Sequence, residues 1–142
     1  MAGMIALPRP LWVLAVVYFI ASLAHFAHNA EFIAFYPGMP AGLTREHVYL
    51  VWLGITCLGV AALLLLRFGL PTLAFVLLGL YGAFGLDGLA HYALALCSEH
   101  TVWANITIWS EALSGLVLLL ASSLALGHRL SAKPAQPTFY GG

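Results

Sequence analysis

Six histidines stand in a chain with only five basic and five acidic residues, and half of them fall inside apolar runs. His25, His28 and Glu31 lie in the first run, Asp87 and His91 in the third, and Glu111 in the fourth. Neutral imidazole and carboxylate together suit zinc, iron, manganese or copper. They are also groups that pass protons near neutral pH. An ionisable group inside a membrane span costs about 2.5–3.5 kcal/mol on insertion scales, so several at one level point to function.

The elements that must carry these groups are long apolar segments. The chain has 142 residues, 63% hydrophobic and 7% charged, whereas soluble domains carry about a quarter charged residues. A spanning helix needs about 20 mostly apolar residues, and four segments qualify: Leu11 to Phe35, Arg45 to Arg67, Leu70 to Leu96, and Val102 to Leu126. Pro37, Gly38 and Pro40 stop the first; Thr44 is a natural N-cap for the second. Pro71 suits the first turn of the third, where its missing N–H costs nothing. Short connections predict antiparallel neighbours, hence an all-α up-down-up-down bundle. One domain over residues 1–127 and a short flexible tail over 128–142 are expected. Gly79, Gly82, Gly85 and Gly88 would let the third helix pack closely and centrally.

Arg9, Arg67, Arg129 and Lys133 lie on one side of the spans and only Arg45 on the other. The positive-inside rule then puts both termini in the cytoplasm. A bacterial inner membrane is the expected location. Arg9 before an apolar run and the small residues Ser22 and Ala24 resemble a signal peptide, but the run continues through Phe35, so a retained helix is expected. Trp12, Trp52 and Trp103 sit near span ends, as interfacial anchors do.

Helical geometry sets the level of each polar group. His25, His28 and Glu31 follow an i, i+3, i+6 ridge with steps of about 60°, and Asp87 and His91 are i, i+4, about 40° apart. Counting about 1.5 Å per residue from the span ends, His28, Glu31, Asp87, His91 and Glu111 all fall roughly 6–14 Å beneath the non-cytoplasmic face. Thr107 and Ser114 share the face of Glu111. Helix two adds only Tyr49, Thr56 and His47 near its mouth. Glu46, His47, Glu99 and His100 are expected to be solvated loop residues.

The first chemistry this layer suggests is a transition-metal centre (zinc, iron or copper) ligated by His25, His28, Glu31, Asp87, His91 and Glu111. Bundle cores hold such ligands on facing helices, and an open coordination position would activate water or oxygen. A metal-dependent oxidoreductase or hydrolase acting on a lipid-like or quinone-like substrate would follow. Asp87-x-x-x-His91 resembles a copper-ligand spacing in an intramembrane subunit of particulate methane monooxygenase; the resemblance covers those five residues and implies copper, not an activity. A second chemistry is metal-free acid–base work on a lipid, by analogy with the small four-helix sterol isomerases. Ligation of b-type haem by His28 and His91 is a third, an ion or proton pathway a fourth, and an accessory subunit of a larger complex a further one.

The balanced charge offers no basic patch for nucleic acid. Membrane lipid, an apolar small molecule, and a homo-oligomer or larger membrane complex are the expected partners. Cys57 and Cys97 have no CxxC spacing and are expected as two buried thiols.

Overall fold

The computed structural model describes residues 7–131, which are almost wholly helical. Four helices are long and apolar enough to cross a membrane: helix 1 (Arg9–Glu31), helix 2 (Arg45–Arg67), helix 3 (Pro71–Leu94) and helix 4 (Val102–Ser131).

Local sequence signals set the ends. Pro10 falls in the first turn of helix 1, where no N–H is required. Thr44 caps helix 2: its hydroxyl accepts from the His47 N–H at 3.4 Å, and the His47 ring accepts in turn from the Thr44 N–H. Gly69, at φ +75°, closes helix 2 with the paired bonds Leu70 N–H to Leu65 and Gly69 N–H to Leu66. Pro71 starts helix 3 directly afterwards.

Helix 4 does not stop at Gly127 as expected but runs on through it to Ser131. Glycine costs a helix interior only about 1 kcal/mol, and Gly127 lacks the positive φ of a helix stop. The rest of the expected tail lies outside the described residues.

Side-chain contacts give the directions. Tyr18 meets Gly115 while His25 meets Thr107, so helices 1 and 4 are antiparallel. Gly79 faces Leu119 and Gly88 faces Ile108, so helices 3 and 4 are antiparallel too. Gly59 packs on Tyr81 and Glu31 reaches Tyr49, which reverses helix 2 against both neighbours. The helices therefore form a ring with helix 4 closing on helix 1. The outer faces carry Leu53, Val60, Leu113, Leu120 and other exposed apolar side chains, as a surface turned to lipid requires.

Helices 3 and 4 cross on glycine. A Cβ on Gly115 would stand 2.5 Å from the Gly82 carbonyl, and one on Gly85 would stand 2.9 Å from the Glu111 carbonyl. At this crossing helix 3 departs from α geometry: Phe84–Ala90 is a 3₁₀ stretch, followed by one α turn at His91–Leu94. A 3₁₀ helix has about 3.0 residues per turn, so i and i+3 eclipse. Gly85, Gly88 and His91 accordingly share the buried face, while Phe84, Asp87 and Ala90 share the exposed one.

Both cysteines are free and exposed rather than buried. Cys57 falls on the outward face of helix 2, and Cys97 lies in the 3–4 connection with its thiol 3.4 Å from Asn105 Oδ1. Trp12 and Trp103 are exposed, but Trp52 is half-buried against Phe19 at 5.7 Å.

Candidate functional site

The buried stripe of helix 1 runs through Tyr18, Ser22, His25 and Asn29. Asn29, one helical turn after His25, stays within about 40° of it; His28 is already about 60° off, and Glu31 about 120°. Helix 3 supplies His91 and Gly88, helix 4 supplies Thr107 and Glu111, and the two adjoining connections supply Tyr36 and His100.

These groups converge. His25 and Glu111 are 2% and 1% exposed, with His25 Nε2 3.6 Å from Glu111 Oε2. The other nitrogen, Nδ1, faces the Thr107 hydroxyl at 3.4 Å. Asn29 Nδ2 donates to His91 Nε2 at 3.2 Å. The His25 and His91 rings are edge to face at 5.4 Å, and the His91 and His100 rings lie 6.1 Å apart. Tyr36 packs between them, 5.0 Å from the His91 ring and 6.1 Å from that of His100. Burial pushes its phenol up to about 12, so its O–H stays intact and donates to His28 Nδ1 at 2.8 Å.

Several polar atoms here are buried without a hydrogen-bond partner among the described residues: both Glu111 oxygens, Asn29 Oδ1, His91 Nδ1 and His100 Nε2. Such atoms are rare in native interiors and ask for an explanation at each site. A cavity of about 230 Å³ reaches Asn29 and His91 among these residues; it is lined by His25, Asn29, Asp87, Gly88 and His91 on its polar side and by Phe26, Leu43, Val48 and Leu94 on its apolar side. Gly88 stands next to the His25–Glu111 pair. A Cβ there would stand 3.2 Å from Glu111 Oε2 and 3.6 Å from His25 Nε2, so any larger residue would press on the pair from the cavity wall.

The structure divides the six residues picked out from sequence. His25, His91 and Glu111 come together in the interior. Asp87 lines the same cavity from an exposed position, because the 3₁₀ turn sets it about 120° from His91 rather than the 40° of an α-helix. His28 is set aside and meets the cluster through Tyr36. Glu31 points outward, accepting from Tyr49 at 2.9 Å and pairing with Arg45 at 3.5 Å. Among the described residues, no three of His, Cys, Asp and Glu are grouped as a metal ion would need.

His100 is a correction. It was expected in a solvated loop, yet it is only 6% exposed. The 3₁₀ turn Cys97–Glu99, tied by the Glu99 carboxylate on the Leu96 N–H, folds the ring inward, where it contacts the Leu96 carbonyl at 3.0 Å. Glu46, His47 and Glu99 are exposed. Asn29 also escaped the sequence reading, although its i+4 spacing from His25 was a usable signal. Tyr36 and His100 had none, since connections carry no helical period. Ser114, on the Glu111 face, is satisfied locally by the Ser110 carbonyl at 2.6 Å.

Comparison with protein-family models, with curated proteins and with solved structures finds no match.

Proposed function

We propose that this chain is a membrane enzyme that moves a proton on an apolar, lipid-like or quinone-like molecule, with His25 and Glu111 as the acid–base couple. The observation that carries the reading is the buried pair at 3.6 Å, beside a cavity that His25 and Gly88 line. A base that takes a proton from carbon and returns it to the same or a neighbouring carbon needs no oxidant and no second substrate. His25 is the group that meets the substrate, since it lines the cavity. Glu111 acts behind it, favouring the imidazolium that forms when His25 takes a proton. His91 and Asn29 would orient the substrate's polar end.

A second reading keeps the transition metal. It is supported by the near approach of the His25, His91 and His100 rings and by the unpartnered nitrogens His91 Nδ1 and His100 Nε2. Zinc, iron or copper would then draw on His25, His91, His100 and Glu111, which would have to close up on the ion, since no three of them are grouped for one here. The distribution of Lys and Arg further supports cytoplasmic termini in a bacterial inner membrane, with the cavity facing the non-cytoplasmic leaflet.

The test needs no prior substrate. Purified protein is incubated in D2O with a total membrane lipid extract, and the lipids are weighed by mass spectrometry. A proton transferred through the couple is replaced by deuterium from solvent. One lipid class should gain deuterium with the wild-type protein and not with Glu111→Gln or His25→Gln. Equal incorporation in all three would sink the acid–base reading.

A further inference from the structure

A second cavity lies one level deeper in the groove between helices 1, 2 and 3. It measures about 190 Å³ and is lined by Trp12, Phe19, Thr56, Gly59, Leu78 and Tyr81, among others. Its walls are almost entirely apolar. The cavity at the histidines has about 230 Å³ and opens between the same three helices. Phe19 lines the lower cavity and Phe26 the upper. By the helical rise they stand about 10 Å apart along helix 1. Each cavity alone is smaller than the usual small-molecule site of about 300–1,000 Å³, while the two together fall within that range.

The polar chamber constrains the head of a ligand. Asn29 Oδ1 is a buried acceptor without a donor, and His91 Nδ1 is a buried nitrogen without a partner; both residues are more than nine-tenths buried. A hydroxyl both donates and accepts, so it can pair with either atom. A carbonyl, which only accepts, leaves Asn29 Oδ1 unpaired. A phosphate is disfavoured, because no Lys or Arg lines the chamber and the Asp87 carboxylate does. The apolar chamber constrains the tail: two small spaces at successive levels suit one flexible chain better than a broad rigid ring system.

We propose that the groove between helices 1, 2 and 3 binds a single-chain amphiphile with a hydroxyl head, the head beside Asn29 and His91 and the chain in the lower cavity. Long-chain alcohols and hydroquinones with an isoprenoid tail share this chemistry. The assignment rests on the acid–base reading only for what happens to the head, since binding itself requires no turnover.

The experiment is photolabelling of the full chain in lipid nanodiscs with hexadecanol carrying a diazirine halfway along its chain. Label should concentrate on the segments 12–19, 56–63 and 78–81 and be displaced by unlabelled hexadecanol. Val60→Trp fills the lower cavity from its lipid-facing side without touching the core, and should cut that labelling at least fivefold. Gly59→Leu should do the same from within, its added Cβ standing 2.9 Å from the Tyr81 ring. Asn29→Leu should weaken displacement by hexadecanol. A tailed hydroquinone that displaces the label better than hexadecanol supports the hydroxyl head and assigns the quinol as its source. Hexadecylamine, hexadecyl phosphate or a fused-ring alcohol displacing it better than hexadecanol overturns the assignment. So does label spread evenly onto Leu113, Val117 and Leu120 of helix 4, or labelling unchanged in Val60→Trp. Groove labelling that persists in a protein with no deuterium transfer defeats the acid–base reading alone; transfer without groove labelling defeats this inference alone.

Discussion

Replacing Glu111 by leucine separates a working site from a structural polar linker. Glu111 is 1% exposed, neither of its oxygens has a hydrogen-bond partner, and its nearest opposite group is the His25 ring at 3.6 Å. An orphaned buried polar group costs about 1–3 kcal/mol. Leucine has a similar volume and removes both oxygens. The interaction lost with His25 lies beyond hydrogen-bond length, so it offsets little of that gain. Glu111→Leu should therefore stabilise the protein by about 1–3 kcal/mol, roughly a five- to 150-fold rise in the folded-to-unfolded ratio. It should also abolish deuterium transfer. Glu111→Gln keeps the shape and one unpaired amide, so its stability should change by less than about 1 kcal/mol while transfer is still lost. Stability is read from reversible SDS unfolding in mixed micelles, followed by far-UV circular dichroism. A functional site that carries strain at a cost to stability gives this pattern. A Glu111→Leu protein that is destabilised by more than about 1 kcal/mol and still transfers deuterium would refute the reasoning and make Glu111 a helix linker.

The glycines of helix 3 give a paired test. Gly85→Ala would push a Cβ to 2.7 Å from the Tyr18 ring and 2.9 Å from the Glu111 carbonyl, and should cost about 1–3 kcal/mol. At Gly88 the nearest atoms are the ends of Glu111 and His25 at 3.2 and 3.6 Å, so Gly88→Ala should leave stability within about 1 kcal/mol yet lower transfer tenfold or more by pressing on the pair; equal effects at both positions would contradict this. For the metal reading, protein incubated with zinc, iron(II) or copper at neutral pH should hold stoichiometric metal, lose it as pH falls and protons compete for the ligands, and hold none as His91→Ala; elemental analysis decides. For orientation, a reporter fused after Gly142 should be active only in the cytoplasm and one at Gly38 only outside. A C-terminal reporter found outside would reverse the assigned leaflet.

The sequence by itself determined the class of the protein, because apolar run length and charge scarcity are properties of composition. It also determined the breaks between helices, because Thr44 and Gly69 act through bonds to residues a turn away, and Pro71 has no N–H with which to extend a helix backwards. His25, His91 and Glu111 were legible as candidates, since an ionisable side chain in an apolar run is conspicuous wherever it faces. Which polar groups meet was not legible. Assigning α geometry to helix 3 placed Asp87 beside His91, and only the glycine crossing with helix 4, accompanied by a 3₁₀ turn, moves Asp87 to the outside. The ridge of His25, His28 and Glu31 drifts by about 60° at each three-residue step, so Glu31 ends about 120° from His25. That drift takes Glu31 out to Arg45 and Tyr49. Tyr36 and His100 enter the site from connections, whose paths depend on which helix ends they join. Those paths are decided when the bundle packs, because no local period in the chain encodes them.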